Sequence, residues 1–144
     1  MKTVRKNYDN WDIRTKKKLR YATLSGGYLK RFIKAKPNSL TIVAFSQKQI
    51  MGWAFILSVD GENTVSTFVN KRYRGRGVAR NLIERTLNIY SRIVLCQWND
   101  STKVFFRKLS EEHPGKIQVI NWWKNVGKYK KTVEMLQKQN KALP

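Results

Sequence analysis

Apolar positions along the chain change period several times, and each change marks a new element. Leu40 to Phe45 is dense in β-branched residues and reads as a strand. After a turn at Ser46–Gln49, Ile50 to Val59 reads as a second, longer strand. Asp60-Gly61 is a hairpin turn into a third strand, from about Asn63 to Val69. The period then lengthens: Val78, Leu82, Ile83, Thr86 and Tyr90 form one stripe of a helix. Ile93 to Trp98 returns to a short apolar run. It is expected to be a buried strand parallel to its neighbour, because a helix joins the two. Asn99-Asp-Ser-Thr then opens and caps a helix over Lys103–Leu109.

The flanks read less regularly. Residues 12–35 predict two helical pieces broken at Ser25-Gly-Gly27, the second placing Tyr28, Leu29, Phe32 and Ile33 on one face and closing at Lys36-Pro37-Asn38. Thr3 to Tyr8 is a candidate extra strand. Downstream, Ile117–Trp123 and Tyr129–Thr132 are expected to be strands, followed by a basic helix at about 133–141. The sum is one α/β domain over residues 1–144, with a mixed, mostly antiparallel central sheet flanked by helices.

Composition changes this picture in one respect. Thirty Lys and Arg face nine Asp and Glu, a net charge of +21, on a chain that is 41% hydrophobic with five Trp, six Tyr and six Phe. The apolar mass suffices for a core. The charge repels itself, and a polyanion is the common compensation, so RNA, DNA or a nucleic-acid-bound protein is the expected partner. The competing reading is a charge that only sets solubility. An anionic membrane fits less well, because the basic residues are spread along the whole chain. No apolar run has the length of a span or the form of a leader, and the expectation is a soluble, cytoplasmic protein, in the host cytoplasm if its source is viral. A single cysteine, Cys96, excludes an internal disulfide framework and a cysteine-based zinc site, and no metal is expected.

The most informative stretch lies between the third strand and the helix at Val78. Strand, Arg/Gly loop and helix follow in that order, which aims backbone N–H groups and the positive end of a helix dipole at one point, where a phosphate binds. The loop is Arg72-Tyr73-Arg74-Gly75-Arg76-Gly77, preceded by Phe68-Val69 and followed by Val78-Ala79-Arg80-Asn81-Leu82-Ile83. A Walker A loop is excluded, since no Gly-Lys-Ser/Thr follows. A Rossmann loop is excluded by the antiparallel strands that lead in and by the lack of an acidic residue about 20 positions downstream. An Arg/Gly contact to nucleic acid without a cofactor is the remaining alternative.

In this stretch the chain resembles the GNAT superfamily of N-acetyltransferases, whose signature is Gln/Arg-x-x-Gly-x-Gly/Ala between the fourth strand and the third helix. The resemblance extends to Asn99, Thr102 and Phe106, which stand where the family often has Asn, Ala and Tyr, and it covers roughly residues 40–110. It implies acetyl-CoA as co-substrate. Phe68, Val69, Arg72, Arg74, Gly75, Arg76, Gly77, Val78, Ala79 and Asn99 would form its binding site, with the loop amides on the pyrophosphate. It also implies a backbone N–H on the strand containing Val69 as the oxyanion donor.

The family's proton donor to the leaving thiolate is a Tyr at the position of Phe106, which carries no proton. Water or another hydroxyl would then serve, with Ser101 and Tyr129 as the candidates. An alkyl thiol, with a pKa of about 8.5, also leaves tolerably unaided. Glu62 is the candidate base, and a turn residue is the plainer account of it. Asp100 is read as a cap, Glu84 as a partner of Arg80, His113 as exposed, and Cys96 as core.

A +21 protein repels aminoglycosides, polyamines and Lys-rich tails. The acceptor is therefore expected to be an amine on or beside a nucleic acid, such as an aminoacyl-tRNA α-amine or a nucleobase amine. Arg14, Lys16, Lys17 and Lys18 form one candidate contact. Trp123, Lys124 and Lys128 form the other, with at most one of Trp122 and Trp123 buried if they lie on a strand. Trp53 and Trp98 are read as core. The competing function is a non-catalytic GNAT-like fold serving as a basic nucleic-acid-binding, virion or ribonucleoprotein component.

Overall fold

A computed structural model describes residues 1–21 and 28–142. Six strands form one sheet in sequential order: β1 (Lys2–Asn7), β2 (Leu40–Ser46), β3 (Gln49–Val59), β4 (Glu62–Val69), β5 (Ile93–Gln97) and β6 (Ile117–Asn121). The first three pairings are antiparallel and the last two parallel. The α/β class and the mixed, mostly antiparallel sheet are as the sequence predicts. Asp60 and Gly61 make the β3–β4 hairpin with φ of 52° and 79°, the left-handed pair that a two-residue turn needs.

The helices divide between the two faces. α1 (Ile13–Tyr21), α2 (Tyr28–Ala35) and α5 (Trp122–Ala142) cover one, where Leu19, Phe32, Trp122 and Tyr129 pack on Val43, Trp53, Phe55 and Leu57. α3 (Val78–Ile89) and α4 (Lys103–Glu112) cover the other, where Leu82, Ile83, Phe106 and Leu109 pack on Ile42, Ala54, Ile56, Val65 and Leu95. Alternation along β3 sends neighbouring residues to opposite cores, which is why Gly52 to Leu57 is buried without a polar break. Asp12 accepts the backbone N–H of Thr15 at 2.7 Å and so caps α1. The helix break expected at Ser25–Gly27 falls outside the described residues.

The C-terminal region differs from expectation. Tyr129–Thr132 is helical, β6 stops at Asn121, and the helix expected at about 133–141 begins at Trp122. Two causes are visible. Asn121 Oδ1 accepts the Lys124 backbone N–H at 3.1 Å and caps the new helix. Trp122, Val126, Tyr129, Val133 and Leu136 then recur at helical spacing and fill the core beneath α2. α4 also runs past Leu109 to Glu112. Among the described residues no helix is long and apolar enough to cross a membrane.

Two glycines make opposite predictions. A Cβ at Gly52 on β3 would stand 2.7 Å from the Phe68 carbonyl oxygen and 3.1 Å from Val78 Cγ1, so the start of α3 sits against bare backbone there. Gly52→Ala is expected to lower stability by about 1–3 kcal/mol. Gly127 lies inside α5 with open space at its Cβ position, and Gly127→Ala is expected to raise stability by about 0.4–1 kcal/mol. Urea midpoints of the two variants should move in opposite directions from the parent.

Candidate active site

The sheet opens where β4 and β5 meet. They pair only at Thr64–Val94 and Val65–Leu95. Beyond that point β4 continues with β3 as far as Val69 opposite Gly52, while β5 continues with β6 as far as Gln97 opposite Asn121. The Asn70 N–H donates to the Met51 carbonyl at 2.8 Å. With the unbroken β3–β4 register, ladder alternation turns the even-numbered N–H groups of β4 toward β3 and those of Thr67 and Val69 toward the gap. Phe68 and Cys96 belong to the core of one face, Val78 and Phe106 to that of the other, and all four line one cavity of about 670 Å³. The gap is thus an opening through the sheet, in the size range of small-molecule sites.

One wall of the cavity is the Arg/Gly loop. Lys71–Tyr73 forms a 3₁₀ turn, and Gly75 and Gly77 follow with φ of 75° and 77°. A Cβ at either glycine would meet nothing within 4 Å, so glycine is required here by backbone conformation and not by space. Gly77 stands at the N-cap of α3, where no side chain caps the helix and no acidic residue occupies the first turn. The leading N–H groups of a twelve-residue helix therefore face the cavity rim without an internal acceptor. That arrangement fits a diphosphate: anionic oxygens supply the missing acceptors and complement the helix dipole.

Of the residues expected at the cofactor, Phe68, Val69, Arg74, Gly75, Gly77, Val78, Ala79 and Asn99 line the cavity. Arg72 and Arg76 do not; their guanidinium groups lie over the Tyr73 ring, with centroid distances of 5.5 and 5.7 Å. The Tyr73 hydroxyl donates to Gln49 Oε1 at 2.7 Å. Two of the loop's arginines thus brace a tyrosine that lines the cavity, and Arg74 alone of the three turns to it.

The hydroxyl and carboxylate candidates separate. Ser101 lines the cavity and donates to Asn99 Oδ1 at 2.6 Å. Tyr129 and Glu62 line a different, smaller pocket beside the hairpin. There Glu62 pairs with Lys128 at 3.1 Å, and the Tyr129 hydroxyl lies 3.5 Å from Thr64 Oγ1. Burial pushes the Tyr129 pKa well up. Glu62 stands six residues from Phe68 on one strand, a separation of about 20 Å. Phe106 is buried, packs on Phe105, and lines the cavity.

The sequence reading missed several lining residues: Thr67, Tyr73, Arg80, Trp98 and Phe105. Period-two alternation from Cys96 brings Trp98 to the same side of β5, and helical spacing from Thr102 brings Phe105 to the same face of α4. Arg80 has no comparable signal. It bridges α3 to α4, donating to Glu112 at 2.6 Å and to Glu84 at 3.5 Å. The Glu112 hydrogen bond raises the Arg80 pKa, and Arg80 in turn lowers that of Glu112. Cys96 is core as expected, yet its residue also lines the cavity; burial pushes its thiol up to about 12.

The two expected nucleic-acid contacts lie on helices of the same face. Arg14, Lys17 and Lys18 are exposed on α1, and Lys16 lies over the Tyr8 ring. Trp123 and Lys124 are exposed at the start of α5, whereas Lys128 is held by Glu62. Trp122 is buried and Trp123 exposed because they point apart on a helix, not on a strand. Trp53 is core; Trp98 is only half-buried, at the cavity wall. Trp11, which donates to Thr41 Oγ1 at 2.8 Å, is also buried and offers no stacking surface.

A family model described as an acetyltransferase (GNAT) domain matches residues 12–108. Among solved structures, ElaA of Escherichia coli superposes with a TM-score of 0.58 at 12% identity, over 75% of this chain and 84% of that one. An IAA acetyltransferase from Bacillus cereus superposes with a TM-score of 0.54 at 15% identity, over 77% and 75%. At such identities the likeness is one of fold. Curated protein sequences give no significant match. The family model spans well over half of the protein, including β4, the Arg/Gly loop and α3, and the chain belongs to the GNAT acetyltransferase family.

Proposed function

We propose that this GNAT-family protein transfers an acetyl group from acetyl-CoA to an amine carried on, or held beside, a nucleic acid. One observation carries the reading: the uncapped start of α3 and the inward N–H groups of β4 open onto the same cavity. The backbone of Arg74–Gly77 and the first turn of α3 would hold the pyrophosphate, with Arg74 beside it, and Val69 and Ala79 would flank the pantetheine. When bound, acetyl-CoA supplies a thioester whose C–S bond breaks as the acceptor nitrogen forms the new amide bond, the thiolate leaving and the ammonium proton passing to water.

The chain's own part is mostly electrostatic. The Val69 N–H, aimed at the gap, is the donor for developing negative charge on the carbonyl oxygen. Phe106 carries no proton to give and the Ser101 hydroxyl is committed to Asn99, so the thiolate departs unprotonated into a cavity edged by Arg74 and Arg80. Cys96, held as the thiol, does not compete as a nucleophile. The acceptor amine must arrive neutral. The cavity supplies no carboxylate base among its described residues, and Glu62 stands away from it. An α-amine with a pKa of about 7.7–8.0, lowered further by nearby cations, meets that condition near neutral pH. The +21 charge favours such an amine on a polyanion.

Phe106 favours a second reading, a non-catalytic GNAT fold that binds nucleic acid and retains the cleft. Radiolabelled acetyl-CoA incubated with tRNA, DNA and protein fractions separates the two: label is expected in a nucleic-acid-associated fraction, and cofactor binding with no labelled product in any fraction would leave only the second reading.

Acetyl-CoA is expected to raise Tm, and Gly77→Glu to abolish that rise. Glutamate at φ 77° strains the loop and places a carboxylate where the pyrophosphate sits. An equal rise in the variant would remove the loop from the site. Nucleic-acid affinity should fall steeply with salt, by orders of magnitude between about 50 and 200 mM if six or more phosphates are contacted; retention on RNA that is indifferent to salt would contradict a polyanion partner.

A further inference from the structure

We propose that Trp123 is a stacking platform that seats an unpaired base of a single-stranded nucleic acid at the mouth of the cleft. One side of the cavity is aromatic and apolar: Phe68, Cys96, Trp98 and Trp123. Trp123 is 61% exposed, whereas Trp11, Trp53 and Trp122 are buried.

Its ring is held in place from several directions. The indole Nε1–H donates to the Trp98 carbonyl at 3.0 Å. Its neighbour Trp122 is locked in the core against Tyr28, Phe32, Trp98 and Tyr129. Asn121 fixes the helix start one turn away, through the Lys124 N–H. A large apolar plane fixed in the open loses little side-chain entropy when it is covered, which is what a binding platform needs.

The occupant follows from charge. No Asp or Glu is among the described residues lining the cavity, and Asp100, on the adjacent turn, is not one of them. Lys124 is exposed beside the ring, and the whole chain carries +21. An exposed aromatic face in a strongly positive field fits a strand that presents phosphates and π-faces together. A duplex hides its base faces by stacking, so the strand must be single or locally unpaired.

This inference shares the acceptor side of the proposed transferase reading but concerns binding alone, and it is tested apart from turnover. Fluorescence anisotropy with short labelled oligonucleotides compares single-stranded RNA, single-stranded DNA and a duplex of the same sequence, for the parent, Trp123→Leu and Trp123→Phe. Leu keeps apolar bulk without a π-face, and Phe keeps a smaller one. Trp123→Leu should weaken single-strand binding about 5–100-fold, with Phe in between. The slope of affinity against salt should not change, because no phosphate contact is lost. The duplex should bind all three proteins alike, and the RNA and DNA arms identify which strand is preferred.

An unchanged single-strand affinity in Trp123→Leu would overturn the proposal. So would an equal loss on the duplex, or an acidic peptide that binds as tightly with the same dependence on Trp123. Far-UV circular dichroism and the urea midpoint, read on each variant, report an intact fold. Trp-dependent oligonucleotide binding without label transfer would end the transferase reading and leave this one standing. Label transfer to nucleic acid with Trp-independent binding would do the reverse.

Discussion

β4 and β5 pair over two residues and then part, and the rest of the molecule is arranged around that parting. A parallel pair that stayed in register would satisfy the N–H groups of Thr67 and Val69 and close the sheet. Here β5 follows β6 instead, and the backbone of β4 is left facing a cavity that both cores reach. The α3 start stands at the same rim, because Gly52 lets Val78 come down onto bare strand backbone. Inward N–H groups from a strand and uncapped N–H groups from a helix therefore converge without any charged side chain being needed to place them.

The side chains around this opening do different work from what their types first imply. Arg72 and Arg76 are spent on Tyr73, and Arg80 ties α3 to α4 through Glu112, so of the cations in this stretch Arg74 is the one that both faces the cavity and has no carboxylate partner among the described residues. Glu62 and Tyr129, which chemistry alone would nominate for catalysis, form their own small site with Lys128 and Thr64 at the other end of β4. At the cleft itself the lining combines backbone dipoles, Arg74 and Arg80, aromatic surface and the hydroxyls of Thr67, Ser101 and Thr102, with no carboxylate among the described residues. Such a set favours negative charge.

The unbalanced charge fits this picture. Among the described residues the ion pairs are Arg80 with Glu84 and Glu112, and Lys128 with Glu62, so most of the cations have no carboxylate beside them. Exposed pairs of this kind contribute little to stability. The stability of the fold rests on the two cores, and the surface is left to attract anions.

Much of this was legible in the chain. The meander from Leu40 to Val69, the stripe of α3 and the Arg/Gly loop are local patterns, in which side-chain period and glycine backbone freedom act over a few residues. The C-terminal helix was less so: Gly127 interrupts helical propensity and Tyr129–Thr132 passes for a strand, until Asn121 caps the turn and α2 supplies the surface that Trp122, Tyr129 and Val133 bury. The sequence by itself determined the order of elements from β2 to α4, the Arg/Gly loop between β4 and α3, and the excess of positive charge. Only the tertiary structure decided that β4 and β5 separate, that Arg72 and Arg76 turn away from the cavity, that Glu62 lies far from it, and that Trp123 stands open at its mouth. Those features depend on which strands pair and which side chains meet across the fold, and such contacts join residues that no local pattern connects.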